Sequence, residues 1–191
     1  MIGNDIVDLS IARSDAWSDL RYLNKVFSIS EQAQIGKSEN PNITLWLLWS
    51  MKESAYKAHF RTFEKRELAP RKIKCRVLSR QEGKVVIDGF VYSTRSELNN
   101  EYIHTIAMED GSCMTDIQHG LIREQNPVKV RNNTVSTMKR SFSEMLELNV
   151  KSLEFIKTLR NVPYMRYSGK RLCNACSLSH HGRYGAFVIS C

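Results

Sequence analysis

The sequence predicts an α+β fold in which helices pack on a largely antiparallel sheet. Three observations carry this expectation. Helix-spaced apolar residues with N-terminal capping signals crowd the first 60 positions. Strand-like runs separated by turn signals follow between Lys72 and Met108. Two more such runs close the chain around His181-Gly182.

Taken in order, residues 1–9 read as a short strand with Gly3, Asp5, Val7 and Leu9 on one face. Asp5 thus shares a face with apolar neighbours, and a desolvated carboxylate is costly unless a cation or hydrogen-bond donors compensate it. A helix is expected over 15–25. Ser28-Ile29-Ser30-Glu31 matches a capping box that opens a second helix to about residue 35. Asn40-Pro41 supplies an N-cap and a first-turn proline for a third helix, through Leu45, Leu48, Trp49 and Tyr56 to about residue 59. Strands are expected over 73–78, 84–92 and 102–108, with turns at Glu82-Gly83 and Asn99-Asn100. The polar stretch 109–137 reads as loop. Residues 141–159 return to helical spacing, with Phe142, Met145, Leu146, Leu153, Phe155, Ile156 and Leu159 on the apolar side. Strands over 172–178 and 183–189 close the fold, and no fixed-period repeat is visible.

With 191 residues, 42% of them hydrophobic, the chain suits a single domain, 1–191, whose core needs no disulfide or structural metal. A formal charge of +8 favours anionic partners without choosing among them. Cys75, Cys113, Cys173, Cys176 and Cys191 are scattered without framework spacing, as in a reducing compartment. The N-terminus has no signal pattern, and no run approaches the roughly 20 apolar residues of a spanning helix. A cytoplasmic protein without membrane contact is expected.

The most informative stretch is Trp49-Ser50-Met51-Lys52-Glu53-Ser54-Ala55-Tyr56-Lys57, which sets Glu53 and Lys57 one helical turn apart in an apolar pattern. Alone, such a pair is a common surface feature worth about 0.3–0.5 kcal/mol. Glu31 is already accounted for by the capping box. His180 and His181 alternate faces on a strand, so one of them at most points into a given site. Cys173 and Cys176 have half a zinc-site spacing and no second pair.

Taken jointly, four segments resemble the 4′-phosphopantetheinyl transferase superfamily. They are Gly3-Asn4-Asp5, Phe27-Ser28-Ile29-Ser30-Glu31, Trp49 through Lys57, and Ser177-Leu178-Ser179-His180. Their order is similar to the short, holo-acyl-carrier-protein-synthase type. The resemblance is concentrated in residues 1–60 and 170–190, and about 84–161 is poorly matched. Val7 stands where the longer type usually has a third acidic ligand. Arg13 approximates an arginine that the short type uses to dock its carrier, and Arg21 and Lys25 join it as docking candidates.

The resemblance implies transfer of the phosphopantetheine arm of coenzyme A to a serine of an apo acyl or peptidyl carrier protein, releasing adenosine 3′,5′-bisphosphate. It implies Mg²⁺, with Mn²⁺ as the alternative, held by Asp5 and Glu53, because a hard cation takes carboxylates plus phosphates and water. Lys57 would stabilise the diphosphate, with Lys52 a weaker phosphate candidate, and Ser179 and His180 would bind a coenzyme A phosphate. Glu31 or Glu53 would take the serine proton. A homotrimer follows from the short type, and a monomer from the extra length. A non-catalytic scaffold of the same fold is the rival, though Asp5, Glu53 and Lys57 are all in place. A nucleic-acid-binding module has only the charge in its favour, and no nucleic acid is expected.

Overall fold

The computed structural model describes residues 1–63, 69–112 and 117–190. Cys113 and Cys191 lie outside the described residues, as do four positions of the expected 109–137 loop. The described residues fold as a mixed α+β structure of four α-helices and antiparallel sheets. Among the described residues no helix is long and apolar enough to cross a membrane.

The first half holds β1 (Ile2–Asp8), α1 (Leu20–Val26), α2 (Ile29–Lys37), α3 (Pro41–Phe63), β2 (Lys74–Val77), β3 (Glu82–Ile87), β4 (Phe90–Leu98) and β5 (Tyr102–Glu109). Its strands form one antiparallel sheet in the order β1-β5-β4-β3-β2. The helix α3 lies across it, burying Leu45, Leu48, Met51, Ala55 and Ala58 against Val7, Val85, Tyr92, Ile103 and Ala107. The capping box at Ser28 and Glu31 forms as expected, and Asn40 caps α3 through Ile43 N–H.

Three expectations fail in this half. The helix over 15–25 begins only at Leu20, after a 3₁₀ turn at Ala16–Ser18. The Asp15 carboxylate is bound by Arg13, and the carboxylate that caps Arg21 and Tyr22 N–H belongs to Asp19. The strand over 84–92 is two strands joined at Asp88-Gly89, whose φ angles of 49° and 86° make a tight hairpin turn. Glu82-Gly83, expected as a turn, opens β3 instead.

The second half holds β6 (Ile117–Arg123), α4 (Pro127–Leu146), β7 (Leu153–Lys157), β8 (Pro163–Tyr167), β9 (Lys170–Arg171), β10 (Cys176–His181) and β11 (Tyr184–Ser190). The expected loop 109–137 therefore contains β6 and the start of α4. Asn126-Pro127 opens α4 in the manner of Asn40-Pro41, with Asn126 accepting from Val128 N–H. The helix expected over 141–159 ends at Leu146, where Glu147 turns left-handed at φ 53°. Residues 153–157 pair with β8 instead, and Leu159 is fully exposed. Alternation in Leu153-Glu154-Phe155-Ile156-Lys157 outweighs the helical spacing because β8 offers a partner edge.

The halves share a connectivity. In the first, β1 pairs with the last strand β5, β5 with β4, and α3 packs on all three. In the second, β6 pairs with the last strand β11, β11 with β10, and α4 packs on all three. The sheets then face each other, Ile2, Ile106 and Met108 meeting Val188, and Ile6 meeting Tyr184 and Ala186.

Candidate active site

The site begins with a glycine that lets a strand touch a helix. A Cβ on Gly3 would lie 2.2 Å from Ser54 O and 2.6 Å from Ala58 N, so the first turn of β1 rests on the backbone of α3. Two residues on, Asp5 meets the same helix at Lys57. Its Oδ1 accepts from Lys57 Nζ at 2.9 Å, and the same ammonium donates to Asn4 O at 2.9 Å. The cation that the buried Asp5 carboxylate required is therefore Lys57.

Glu53, one turn before Lys57, is half-buried. Burial first, then the Asp5 charge, push its carboxyl up to about 6, while Lys57 acts in the opposite direction. Tyr22 on α1 is raised by burial and by the Glu53 charge, which places α1 beside the pair. Two carboxylates thus share a half-buried spot with one ammonium. Among the described residues no group of three or more His, Cys, Asp and Glu is arranged to hold a metal. Any cation here would complete its shell from water and substrate oxygens, as small hard divalent ions commonly do.

The S-L-S-H strand β10 lies along the free edge of β1. Ser177 Oγ accepts from Asn4 N–H at 3.1 Å, Ser179 Oγ from Asn4 Nδ2 at 3.1 Å, and His181 Nδ1 from Asp8 N–H at 2.9 Å. These alternate residues face β1, so His180 falls on the other face of the strand and is exposed. Asp8 closes the seam. Burial would raise its carboxyl, but hydrogen bonds from Arg183 and Ser10 outweigh that and hold it well below the usual carboxylate range. Behind the seam, burial, aided by His119 and Lys57, lowers His104 to about 3, so its ring is neutral. His104 Nε2 stands 3.4 Å from Asn4 Nδ2.

Glu31 and Lys52, expected at the chemistry, are instead spent on each other inside the protein. Lys52 Nζ donates to Glu31 Oε2 at 2.9 Å and to the carbonyls of Pro70 and Ile73. Glu31 also accepts from Ser28 N–H and Cys75 N–H, and neither side chain is more than 1% exposed. The pair joins α2, α3 and the start of β2. It carries one half of the W-x-x-K-E segment into the core while Glu53 faces outward to β1.

A cleft of about 220 Å³ opens beside Lys57, lined on one side by Tyr56, Phe60 and Arg61 of α3 and on the other by second-half residues. Among the latter are Arg131 of α4, Phe155 and Lys157 of β7, and Ser177 and Leu178 of β10. Glu53, Lys57 and Arg61 lie at successive turns of α3, so one helical stripe leads from the carboxylates into the cleft. Arg61 donates to the carbonyls of Pro163 and Cys176, binding α3 to β8 and β10.

A family model described as 4′-phosphopantetheinyl transferase superfamily (ACPS) matches residues 1–107, more than half of the 191. The chain belongs to this superfamily. A search of the curated proteins finds no match. The superfamily match spans β1 to β5, and so takes in Asp5, Glu31, Lys52, Glu53 and Lys57 while leaving Ser179 and His180 outside. It makes the protein a member of a transferase superfamily that acts on carrier proteins with coenzyme A.

Sequence reading missed the second wall of this cleft. Arg61 was legible as the next member of the Glu53, Lys57 stripe. Arg131 and Lys157 were not, because both fall where the expected elements were wrong.

Proposed function

We propose that the protein transfers 4′-phosphopantetheine from coenzyme A to a serine hydroxyl of an acidic apo carrier protein, as a holo-acyl-carrier-protein synthase, with Asp5 and Glu53 holding Mg²⁺. The observation that carries the reading is the convergence of Asp5, Glu53 and Lys57 at the mouth of a cation-lined cleft. A buried and a half-buried carboxylate, of which the second resists ionisation, suit a divalent ion, which would relieve their mutual repulsion. When bound, such an ion neutralises diphosphate oxygens and polarises the phosphorus under attack.

Each remaining step is assigned to a residue of this chain. Lys57 contacts the diphosphate as a point charge and stabilises the charge that builds on the leaving phosphate. Arg131 and Lys157 have no ion-pair partner among the described residues, and they receive the anionic nucleotide end of coenzyme A. Tyr56, Phe60 and Phe155 give that end an apolar wall. The serine oxygen forms a bond to the phosphorus bearing pantetheine as the bond to the bridging oxygen breaks, and adenosine 3′,5′-bisphosphate leaves. Glu53 takes the serine proton, directly or through water, since Glu31 has both oxygens engaged. Ser179 reaches coenzyme A only through the wall it helps to hold, and His180 is exposed on the other face of β10.

Carrier docking falls to α1 and its approach. Arg21 and Lys25 are exposed there beside Trp17 and Leu20, whereas Arg13 is bound to Asp15 and Asp19. The charge of +8 steers both anionic substrates. That β10, α4 and β7 complete the cleft from within one chain supports the monomer over the homotrimer, in a single domain.

The test is intact-mass analysis of a panel of apo carrier proteins incubated with coenzyme A, Mg²⁺ and the protein. A phosphopantetheine-sized mass gain that requires Mg²⁺ supports the reading. Coenzyme A binding without transfer to any carrier would replace it with the scaffold.

A further inference from the structure

Asn4, between the glycine and the aspartate of the G-x-D segment, is a fully buried amide that joins four elements. Its N–H goes to Ser177 on β10, and its carbonyl accepts from Lys57 on α3. Its Nδ2 donates to Ser179 on β10 and faces His104 Nε2 on β5, while its Oδ1 has no partner among the described residues. With Nδ2 as donor, the His104 proton sits on Nδ1. Ile2 and Ile6 occupy the same face of β1 and pack into apolar clusters, so an apolar side chain would suit this position. A buried amide with an orphaned oxygen costs stability, and the best-attested return on such a group is a fixed register.

We propose that Asn4 is a positioning residue for the transfer reaction: its side-chain amide, held between His104 and Ser179, sets β10 against β1 and so fixes the cleft wall relative to the Lys57 ammonium. The inference rests on the function proposed above. Asn4 touches neither substrate nor metal. It acts because Ser177 and Leu178 line the cleft two and one residues before its partner Ser179.

The test compares Asn4→Val, Ser179→Ala and the double variant. Asn4→Val keeps the main-chain bonds to Ser177 and Lys57 and removes only the amide. The expected result is a KM for coenzyme A roughly tenfold higher in each single variant, which is the loss of about one hydrogen bond to a shared unit. The kcat should stay within about threefold and Mg²⁺ affinity by calorimetry within about twofold, as Asp5 and Glu53 are untouched. The double variant should be no worse than either single one, since both remove the same clamp. Additive losses, or a fall in melting temperature with KM unchanged, would overturn the proposal. Should Asn4→Val fail to fold, the KM-against-kcat split of Ser179→Ala decides. In the unliganded protein, the His104 ring ¹⁵N shifts, which report its tautomer, should move in Asn4→Val, and unchanged shifts sink the clamp. If the unsubstituted protein transfers nothing, the functional reading fails while the NMR comparison still judges the clamp.

Discussion

The two halves carry one connectivity and different chemistry. On the first, the strand that opens the sheet and the helix across it bring Asp5, Glu53 and Lys57 together. On the second, β6 and α4 occupy the corresponding places, and the face of α4 toward the sheet is Val130, Thr134, Met138 and Phe142. The second half contributes walls and cations to a site whose carboxylates all come from the first. A shared topology thus does not bring shared chemistry with it.

Substitutions can break this asymmetry. The largest effect is expected in the first half. Asp5→Asn and Glu53→Gln should each lower transfer at least about a hundredfold, measured by carrier mass gain, because they remove charge stabilisation at the reacting phosphate. In the second half, Arg131→Ala and Lys157→Ala should raise the KM for coenzyme A by about tenfold each and leave kcat within about twofold. That is the size of a lost charge-assisted hydrogen bond of about 1.5 kcal/mol used for binding alone. A matching collapse of kcat would move chemistry into the second half.

Stability should respond to local packing within the first half. Gly3→Ala forces a methyl into the α3 backbone and should cost about 1–3 kcal/mol by denaturant unfolding. Gly36→Ala, in α2 with open space around it, should stabilise by about 0.5–1 kcal/mol. Acid probes the seam between the halves. His104 is held at about 3 against an ordinary 6.5, so the unfolded chain binds its proton first. Its contribution to stability is whole above about pH 6.5 and is lost below it, by up to about 1.4 kcal/mol per pH unit. Glu53 has the opposite sign in the metal-free protein. Its carboxyl stands at about 6 against 4.5, so stability is gained as pH falls through 6. Chemical unfolding between pH 7 and pH 4 should separate the two. His104→Gln flattens the first limb and Glu53→Gln the second.

Much of the first half was legible because its signals are local. The capping box at Ser28 and the Asn40-Pro41 helix start satisfy backbone groups within one turn, and both form where the residues say. The same Asn-Pro signal at Asn126-Pro127 was passed over, because the polar residues around it masked an apolar repeat of one residue in four. Asp88-Gly89 was hidden inside a run of strand formers although its chemistry is that of a hairpin turn. The site was legible in its carboxylates and ammonium, since G-x-D and W-x-x-K-E are contiguous motifs. Its misreadings are tertiary. Nothing local says that Lys52 and Glu31 will meet in the core, or that Arg131, 74 residues after Lys57, will face it across a cleft.

The bonds from Asn4 and Asp8 N–H to Ser177 and His181 side chains have a consequence for how the protein behaves in a crowd. A strand at the margin of a sheet normally offers its unpaired amides to any extended chain that drifts by, the usual opening for aggregation. Here two of those amides are already occupied by side chains of a strand that does not pair with β1. That margin is thereby sealed without enlarging the sheet. The opposite margin, β2, is guarded in the same way, Cys75 N–H donating to Glu31 and Val77 N–H to Gln34, and it adds the exposed charges of Lys74 and Arg76.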